Sequence, residues 1–562
     1  LEFVGDLSSF DEVVLTNDTW FGPVRPYGPV LERMAARPVH FWGMTDHAEE
    51  VPNPFTGEGR LPYHLQSFWI AVRREMFLSE EWARYWAELP VMPGYFDAVL
   101  KHEAVFTEHF TQRGFSVDVA FPYRKYPTTH PALFNADLLI DDGCPLLKRR
   151  PLFHYPPFLD RHAVIGRWTL QRVEQHGYPM PLIWDNLARN VQPRVLNADA
   201  AMLEVLPDID VSYDPTTPPR IAAVLHVRDI ARVDELLDRY AMLPPCDLYI
   251  TTVSVEDADH VRSRLARRDD IDSSRCQVRV VSFNRGRHMS AFFVTCADVL
   301  RDERYDIIVK IQSMKRAGIE FNARRYFRRH QLENLLSSPG YVLNVLALFQ
   351  KEPGLGVVFP PMVHIGFGTM GRAWANCREA VGQWCKKLGI HVPLDDASPL
   401  APYGGMFIAR REALALLSEH PWTESDYRRS DGRSGPDMAR VQERLIAYAA
   451  GERGYHCRTV LNLEHAAISH TALEEKVDQM FSTTPGYPVE QIQFLHRAGW
   501  AGYGGPVSLF RMYLHMNHPG VSRASEPFFR LAYRALSRAR RLADRVRGRR
   551  SVGVMAVESS RV

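Results

Sequence analysis

The sequence predicts a tandem α/β protein: two copies of one fold, the first lacking its opening strands, with a helical linker between them and a basic C-terminal helix. Three observations carry that expectation. Short apolar runs alternate with helical stretches up to about residue 125, stop, and start again after a Pro/Thr-rich segment, "DPTTPPR", at 214–220, the rhythm of layered α/β folds. "FDEVVLTND" from Phe10 has the shape of "YDIIVKIQS" from Tyr305: an aromatic residue, Asp, an apolar strand and a polar end. "HEAVFTEHFTQRGFSVDVAF" from His102 lies against "QERLIAYAAGERGYHCRTVL" from Gln442, and in both a Glu precedes a Gly-aromatic pair by eleven residues. Two pairs in the same order read as a duplication.

In chain order, residues 1–150 form the first copy. Strands are expected at "EVVLTN", "VHFWGMT" and "FSVDVAF", and helices over 65–86 and 97–113. The first residue is Leu1 and a strand-and-turn motif follows within twenty residues. In the second copy "SFNRGRH" (282–288) precedes the strand end at Gln312, with Asn284 twenty-eight residues before it, and the same offset from Asn17 falls before Leu1. The true N-terminus, with the opening strands of the first copy, is therefore expected to be missing. Pro and Arg at 145–160 break the α/β pattern, and 151–215 reads as a helical linker, helical over 161–206. The second copy, 216–465, opens with "IAAVLHV", "DLYITTV", "QVRVVSF" and "YDIIVKI", strands of a doubly wound sheet. A C-terminal extension covers 466–525. Residues 526–550 place Phe528, Leu531, Ala535, Leu542 and Val546 along one face against many arginines, a basic amphipathic helix suited to an anionic membrane surface or to packing on a domain.

Composition narrows the classes of function. With 68 basic and 66 acidic side chains the total charge is near balance, so nothing argues for a nucleic-acid partner. Seven scattered cysteines without a CxxC pair argue against a disulfide framework or zinc knuckle and for a reducing compartment. No apolar run reaches spanning length and no signal peptide is visible, so a cytoplasmic protein, either soluble or peripheral on the inner face of the plasma membrane, is expected. Walker A, HExxH and GxSxG motifs are absent from the sequence.

The candidate chemistry gathers at strand ends. Asn17 and Asp18 close an apolar strand where open α/β sheets bind ligands. There the Asp18 carboxylate suits Mg²⁺ or Mn²⁺ bridging a diphosphate, unless the pair only makes an Asx-turn. "HLQSFWI" (64–70) reads as the start of a helix whose His64, Gln66 and Ser67 either meet sugar hydroxyls or cap the helix. Glu103 near a helix start is a candidate general base, or a solvated surface residue. Glu443, followed by Arg444, has an ion pair as an equally simple account. Gly404 and Gly405 in "PYGGMFIARREAL" allow close approach of backbone to a ligand, or make a plain turn. "GFGTMG" (366–371) fits GxGxxG, but Pro360 and Pro361 before it spoil a dinucleotide reading.

Together "LTNDTWFGPV", "FWGMTDH", "HLQSFWI", "HEAVFTEHFTQRGF", "CPLLKRRPLF", "IAAVLHV", "NRGRH" and "GGMFIARREAL" resemble the rhamnan synthesis protein F family over most of residues 10–465. The resemblance implies tandem glycosyltransferase-A-like (nucleotide-diphospho-sugar transferase) domains. It also implies transfer of a sugar, typically L-rhamnose from dTDP-rhamnose, onto a lipid-linked glycan acceptor. It places Asn17 and Asp18 at the metal and nucleotide motif, Glu103 at the catalytic base of inverting members, and Asn284 and Gly286 in a donor loop. The chain departs from the family pattern at His288, where Asp is usual, and at Gln312–Ser313, which bring no carboxylate. The alternative is a non-catalytic glycan-binding or scaffolding subunit of an assembly complex; a glycoside hydrolase is a weaker third reading.

Overall fold

The computed structural model describes residues 6–56, 58–313, 320–366, 368–371, 373–427, 437–482 and 487–492, with short pieces between 510 and 529. The basic helix expected over 526–550 lies outside the described residues apart from 527–529. The chain divides into two compact units, one of residues 1–151, 157–164 and 477–562, the other of 152–156 and 165–476.

The first unit contains β1 (Glu12–Thr16), β2 (Trp20–Phe21), β3 (Phe41–His47), β4 (His64–Leu65), β5 (Trp69–Arg73), β6 (Val117–Phe121) and β7 (Leu147–Lys148). Its main sheet runs β1-β5-β3-β4, with β6 also on β3. β5 is antiparallel to β1 and β3, while β6 runs parallel to β3. β2 and β7 form a separate antiparallel pair. Successive strand residues point to opposite faces, so Ile70 and Val72 pack with Phe41, Phe106 and Phe110, and Ala71 packs with Trp42, Val30 and Met34. β3 is buried along its whole length, as a strand covered on both faces must be.

The second unit contains β8 (Leu203–Leu206), β9 (Ile221–Val227), β10 (Asp247–Thr252), β11 (Cys276–Val280), β12 (Ile307–Gln312), β13 (Leu355–Phe359), β14 (Phe407–Arg410) and β15 (His456–Asn462). They form one sheet in the order β11-β10-β9-β12-β14-β13-β15-β8. β9, β10, β11 and β12 are mutually parallel, and β14 is antiparallel to both its neighbours. From β9 the chain winds one way to β10 and β11, then returns to place β12 on the other side. That reversal makes the carboxyl ends of β9 and β12 a topological switch point, the place where open α/β sheets generally form a ligand crevice. Helices Val255–Leu265 and Pro339–Lys351 start where Ser254 and Ser338 hydroxyls accept the N–H of Asp257 (3.1 Å) and Tyr341 (3.2 Å), the usual N-cap arrangement.

The two sheets share a register. Glu12 faces Arg73 and Ile307 faces Arg410; Phe41 faces Val117 and Val357 faces Cys457. Past the strand the same bond recurs, from Arg74 N–H to Asp11 O (2.9 Å) and from Arg411 N–H to Asp306 O (3.0 Å). The β1-β5-β3-β6 arrangement therefore repeats β12-β14-β13-β15. Among the described residues the first unit shows no counterpart of β9–β11. Carried along, the register equates Leu15 with Lys310, Asn17 with Gln312, Asp18 with Ser313, Ser67 with Gly404 and Glu103 with Glu443.

Two local expectations are corrected. The helix expected over 65–86 is interrupted: β4 and β5 come first, then short helices Arg74–Phe77 and Glu80–Ala87. The apolar run Phe68–Val72 has no helical spacing, and its backbone pairs on both sides. Residues 161–206 are not helical throughout, because Leu203–Leu206 is β8, paired with β15. Glu103, expected near a helix start, ends a π-turn, Val99–Glu103, that joins helix Tyr95–Ala98 to helix Ala104–Thr111 and directly precedes the latter. Most of the stretch read as a linker, 151–215, belongs to the second unit.

One buried group of the second unit works against stability. Asp199 is buried, and neither carboxyl oxygen has a partner among the described residues. Burial pushes its carboxyl up to about 9. A raised value means that the stability this group contributes is present below its unfolded value, ~4, and lost as pH rises through about 9. Asp199→Asn is expected to stabilise the chain by about 1–3 kcal/mol at pH 8, with the gain vanishing near pH 4, as measured by urea midpoints at the two pH values.

Candidate functional site

In the first unit the carboxylate of Glu103 is built into the end of β4. Ser67, just past that strand, donates its backbone N–H to Glu103 Oε2 (2.9 Å), and its hydroxyl donates to the same oxygen. His64 Nε2 lies 3.9 Å from Oε1, and the Glu103 side chain is 16 % exposed. Thr107, one helical turn on, accepts the Leu65 N–H on its hydroxyl (2.8 Å) and ties strand to helix. Burial pushes the Glu103 carboxyl up, but the Lys148 ammonium, His64 and the two Ser67 bonds outweigh it and hold the group below its ordinary value. The site thus contains an ionised carboxylate with fixed orientation.

Around it stands a layer of imidazoles. His64 stacks on His47 with ring centres 5.1 Å apart, and His47 lies 4.8 Å from His130. Gln66 is bonded elsewhere than Glu103, to His130 Nε2 (2.6 Å) and to the Thr45 hydroxyl (2.7 Å). Burial lowers His64, with Glu103 opposing, and lowers His130 well below the ordinary imidazole value.

Asn17 and Asp18 end β1 in an Asx-turn: Asn17 Oδ1 accepts the N–H (3.1 Å) and hydroxyl (2.6 Å) of Thr19. Asp18 is exposed, and its carbonyl accepts from Arg149 Nη1 at 3.0 Å. The run Lys148–Arg149 therefore reaches both parts of the candidate site, Lys148 beside Glu103 and Arg149 on the strand end. Sequence reading missed Lys148; its place in "CPLLKRRPLF" was the available signal. Among the described residues no group of three or more His, Cys, Asp or Glu side chains is placed to hold a metal ion. Asp18 offers a single carboxylate, because the Asn17 amide oxygen is already engaged.

In the second unit Gly404 and Gly405 have φ of +96° and +72°, backbone that glycine adopts without strain. The turn brings the Gly404 N–H to Glu443 Oε2 (3.5 Å), the counterpart of the Ser67 bond to Glu103. Gly405 O accepts from Lys310 Nζ (2.6 Å), and Gly404 O accepts from the Gln312 amide. A Cβ on Gly405 would stand 2.4 Å from the His288 ring. Asn284 is exposed, and Gly286 lies so close to Tyr427 that a Cβ would meet its ring at 2.3 Å. Ser313 accepts the N–H groups of Arg228 and Asp229 on its hydroxyl (2.8 Å each), tying together the carboxyl ends of β9 and β12.

Residues 1–455 match the rhamnan synthesis protein F family. The chain belongs to that family. A stretch of 245 residues, 43% of this chain, is 25% identical to the uncharacterized protein WxcX of Xanthomonas campestris pv. campestris (strain B100) and covers 33% of that protein. The family match takes in both carboxylates, Glu103 and Glu443. No helix among the described residues is long and apolar enough to cross a membrane.

The charge beside Glu103 makes a pH prediction. Its lowered carboxyl contributes stability that is present above the unfolded value, ~4.3, and lost as pH falls through the lower folded value. Lys148→Met removes the main opposing charge, so the acid loss of stability is expected to begin at higher pH, as measured by urea midpoints across the acid range.

Proposed function

We propose that this chain is a glycosyltransferase that moves a sugar, L-rhamnose from dTDP-rhamnose, onto a lipid-linked or growing cell-surface polysaccharide, with inversion at the anomeric carbon. The observation that carries the reading is the ionised Glu103 carboxylate, fixed by Ser67 at a strand end. Glu103 takes the proton of an acceptor hydroxyl; the oxygen attacks the anomeric carbon from the face opposite the diphosphate. His47, His64 and Gln66 offer donors and acceptors to sugar hydroxyls. Positioning and stabilisation of developing charge supply most of the rate gain in such a displacement. Asp18 would hold Mg²⁺ or Mn²⁺ with diphosphate oxygens and water completing the shell, since these ions need few protein ligands. The ion, when bound, neutralises the departing diphosphate. Asn17, Asn284, Gly286, Gly404 and Gly405 are proposed to contribute to donor and substrate contacts. The arginine-rich sequence at 526–550 supports a peripheral position on an anionic cytoplasmic leaflet.

Thermal-shift titration of the full chain with nucleoside diphosphates, with and without Mn²⁺, tests donor and metal together. dTDP is expected to raise the midpoint more than UDP, GDP or ADP, and Mn²⁺ is expected to enlarge the shift. An equal response to all four removes dTDP-rhamnose as the donor. Glycan binding without turnover in any assay points instead to a non-catalytic assembly subunit.

A further inference from the structure

We propose that the second unit holds a transfer centre of its own, in which Glu443 is the base and Lys310, acting through His288, is a positioning residue. The inference rests on the sugar-transfer reading above. It starts from the shared register: Glu443 occupies the place of Glu103, and each carboxylate accepts the backbone N–H of the equivalent residue, Ser67 or Gly404. The second carboxylate is tied through Gly404 to Gln312, the last residue of β12, at the carboxyl end of the sheet, where parallel α/β folds bind ligands.

What surrounds the two carboxylates differs. Where the first unit has Leu15, the second has Lys310, 1% exposed and lying over the rings of Phe292 and Phe407. Its ammonium has three acceptors: Gly405 O at 2.6 Å, His288 Nδ1 at 3.1 Å and Gln312 Oε1 at 3.3 Å. Three protons meet three acceptors, so a charged Lys310 makes His288 Nδ1 an acceptor and leaves the ring proton on Nε2. Nε2 lies 3.3 Å from Glu443 Oε1. Lys310, His288 and Glu443 form a chain in which the lysine selects the tautomer that the carboxylate needs.

The cluster is a poor choice for stability alone. Lys310, His288, Glu443 and Arg444 are all largely buried, and apolar residues of similar volume would serve a fold equally well. Perturbed titratable groups gathered at a ligand crevice mark functional sites instead. Burial lowers Lys310 to about 7, with Glu443 and Cys296 opposing that shift. Other charged or titratable groups around the chain include His226 in β9, Arg228 just after it, Asp437 at the helix start, Tyr403, Cys377, and Arg444, which pairs with Glu443 at 2.9 Å. His226 Nε2 is buried without a partner among the described residues.

In the step itself the acceptor O–H gives its proton to Glu443. Its oxygen bonds to the anomeric carbon, and the bond from that carbon to the diphosphate oxygen breaks, its electron pair leaving with the nucleoside diphosphate. The relay is intact while Lys310 is protonated, so this transfer is expected to fall as pH rises through about 7.

The test measures dTDP released from dTDP-rhamnose by the full chain carrying Glu103→Gln, with a glycan acceptor present. Release is expected to persist, to have an alkaline limb near neutrality, and to disappear when Glu443→Gln is added. Lys310→Met is expected to lower kcat by ~10²-fold with KM nearly unchanged and to abolish the limb. His288→Gln keeps a donor toward Glu443, so it is expected to recover much of the rate without the limb; it also serves if Lys310→Met does not fold. Loss of all release in Glu103→Gln, with full release in Glu443→Gln, overturns the second centre and leaves the proposed function standing. If the wild type releases nothing, the proposed function falls. The relay is then decided by ¹⁵N NMR of the histidines: an Nε2–H tautomer of His288 that titrates near pH 7 and is lost in Lys310→Met supports it, and a ring insensitive to Lys310 overturns it.

Discussion

Glu103→Gln is expected to lower the kcat of the first unit's transfer by about 10²–10⁴-fold, the usual contribution of a positioned general base. Glutamine keeps the length of the side chain and an oxygen for the Ser67 N–H and hydroxyl, so the local geometry survives. It cannot take a proton from an acceptor hydroxyl. KM for the donor should change little, because binding and proton removal are separate tasks. Measurement against acceptor in the Glu443→Gln background isolates this centre, and a kcat within threefold of the parent would exclude Glu103 as the base. The substitution also leaves Lys148 without its carboxylate, so a modest fall in melting temperature is expected alongside.

The second large effect concerns the packing that holds Glu103 in place. Phe110, one residue short of the end of helix Ala104–Thr111, is fully buried. Its ring lies 4.9 Å from Phe106, 5.1 Å from Tyr85, 5.8 Å from Trp82 and 6.4 Å from Phe41. Phe110→Ala removes a ring from a close-packed aromatic layer that has little room to collapse, at a cost of about 3–5 kcal/mol. The midpoint at which the first unit unfolds should fall by on the order of 10 °C, followed by the fluorescence of Trp82 and Trp86. Activity of the folded fraction should also fall, since the helix that carries Glu103 loses its backing. A shift below 2 °C would show that this layer repacks.

Much of the architecture was legible because it rests on spacing. The eleven residues from Glu103 to Gly114, and from Glu443 to Gly454, reappear as matching helix-to-strand steps, and "FDEVVLTND" and "YDIIVKIQS" reappear as strands in one register. Spacing failed where periodicity was silent. Phe68–Val72 is apolar without interruption, and such a run is compatible with a buried helix or a buried strand until its partners are known. β8 was hidden for the same reason, since four residues of a short edge strand carry too little pattern to separate them from the helices before them.

Site chemistry divides along the same line. Asn17, Asp18, Glu103, Gly404 and Gly405 were recognisable as residue types able to do chemistry at strand ends, and the Asx-turn at Asn17 was one of the two readings open for it. Lys148 and Lys310 were not, because a lysine in a sequence reads as a solvated charge. Only folding shows Lys148 beside Glu103, and Lys310 sealed under Phe292 and Phe407 with every proton engaged.

The sequence by itself determined the α/β class, the duplication with its register, and the family, since strand alternation, helix period and motif spacing are local properties written in the order of residues. The tertiary structure alone decided which carboxylates are held by backbone N–H groups, which cations oppose their burial, and which unit carries the switch point between β9 and β12. Those outcomes depend on groups far apart in the chain meeting in a poorly solvated interior, where a few ångströms set the energy of a charge.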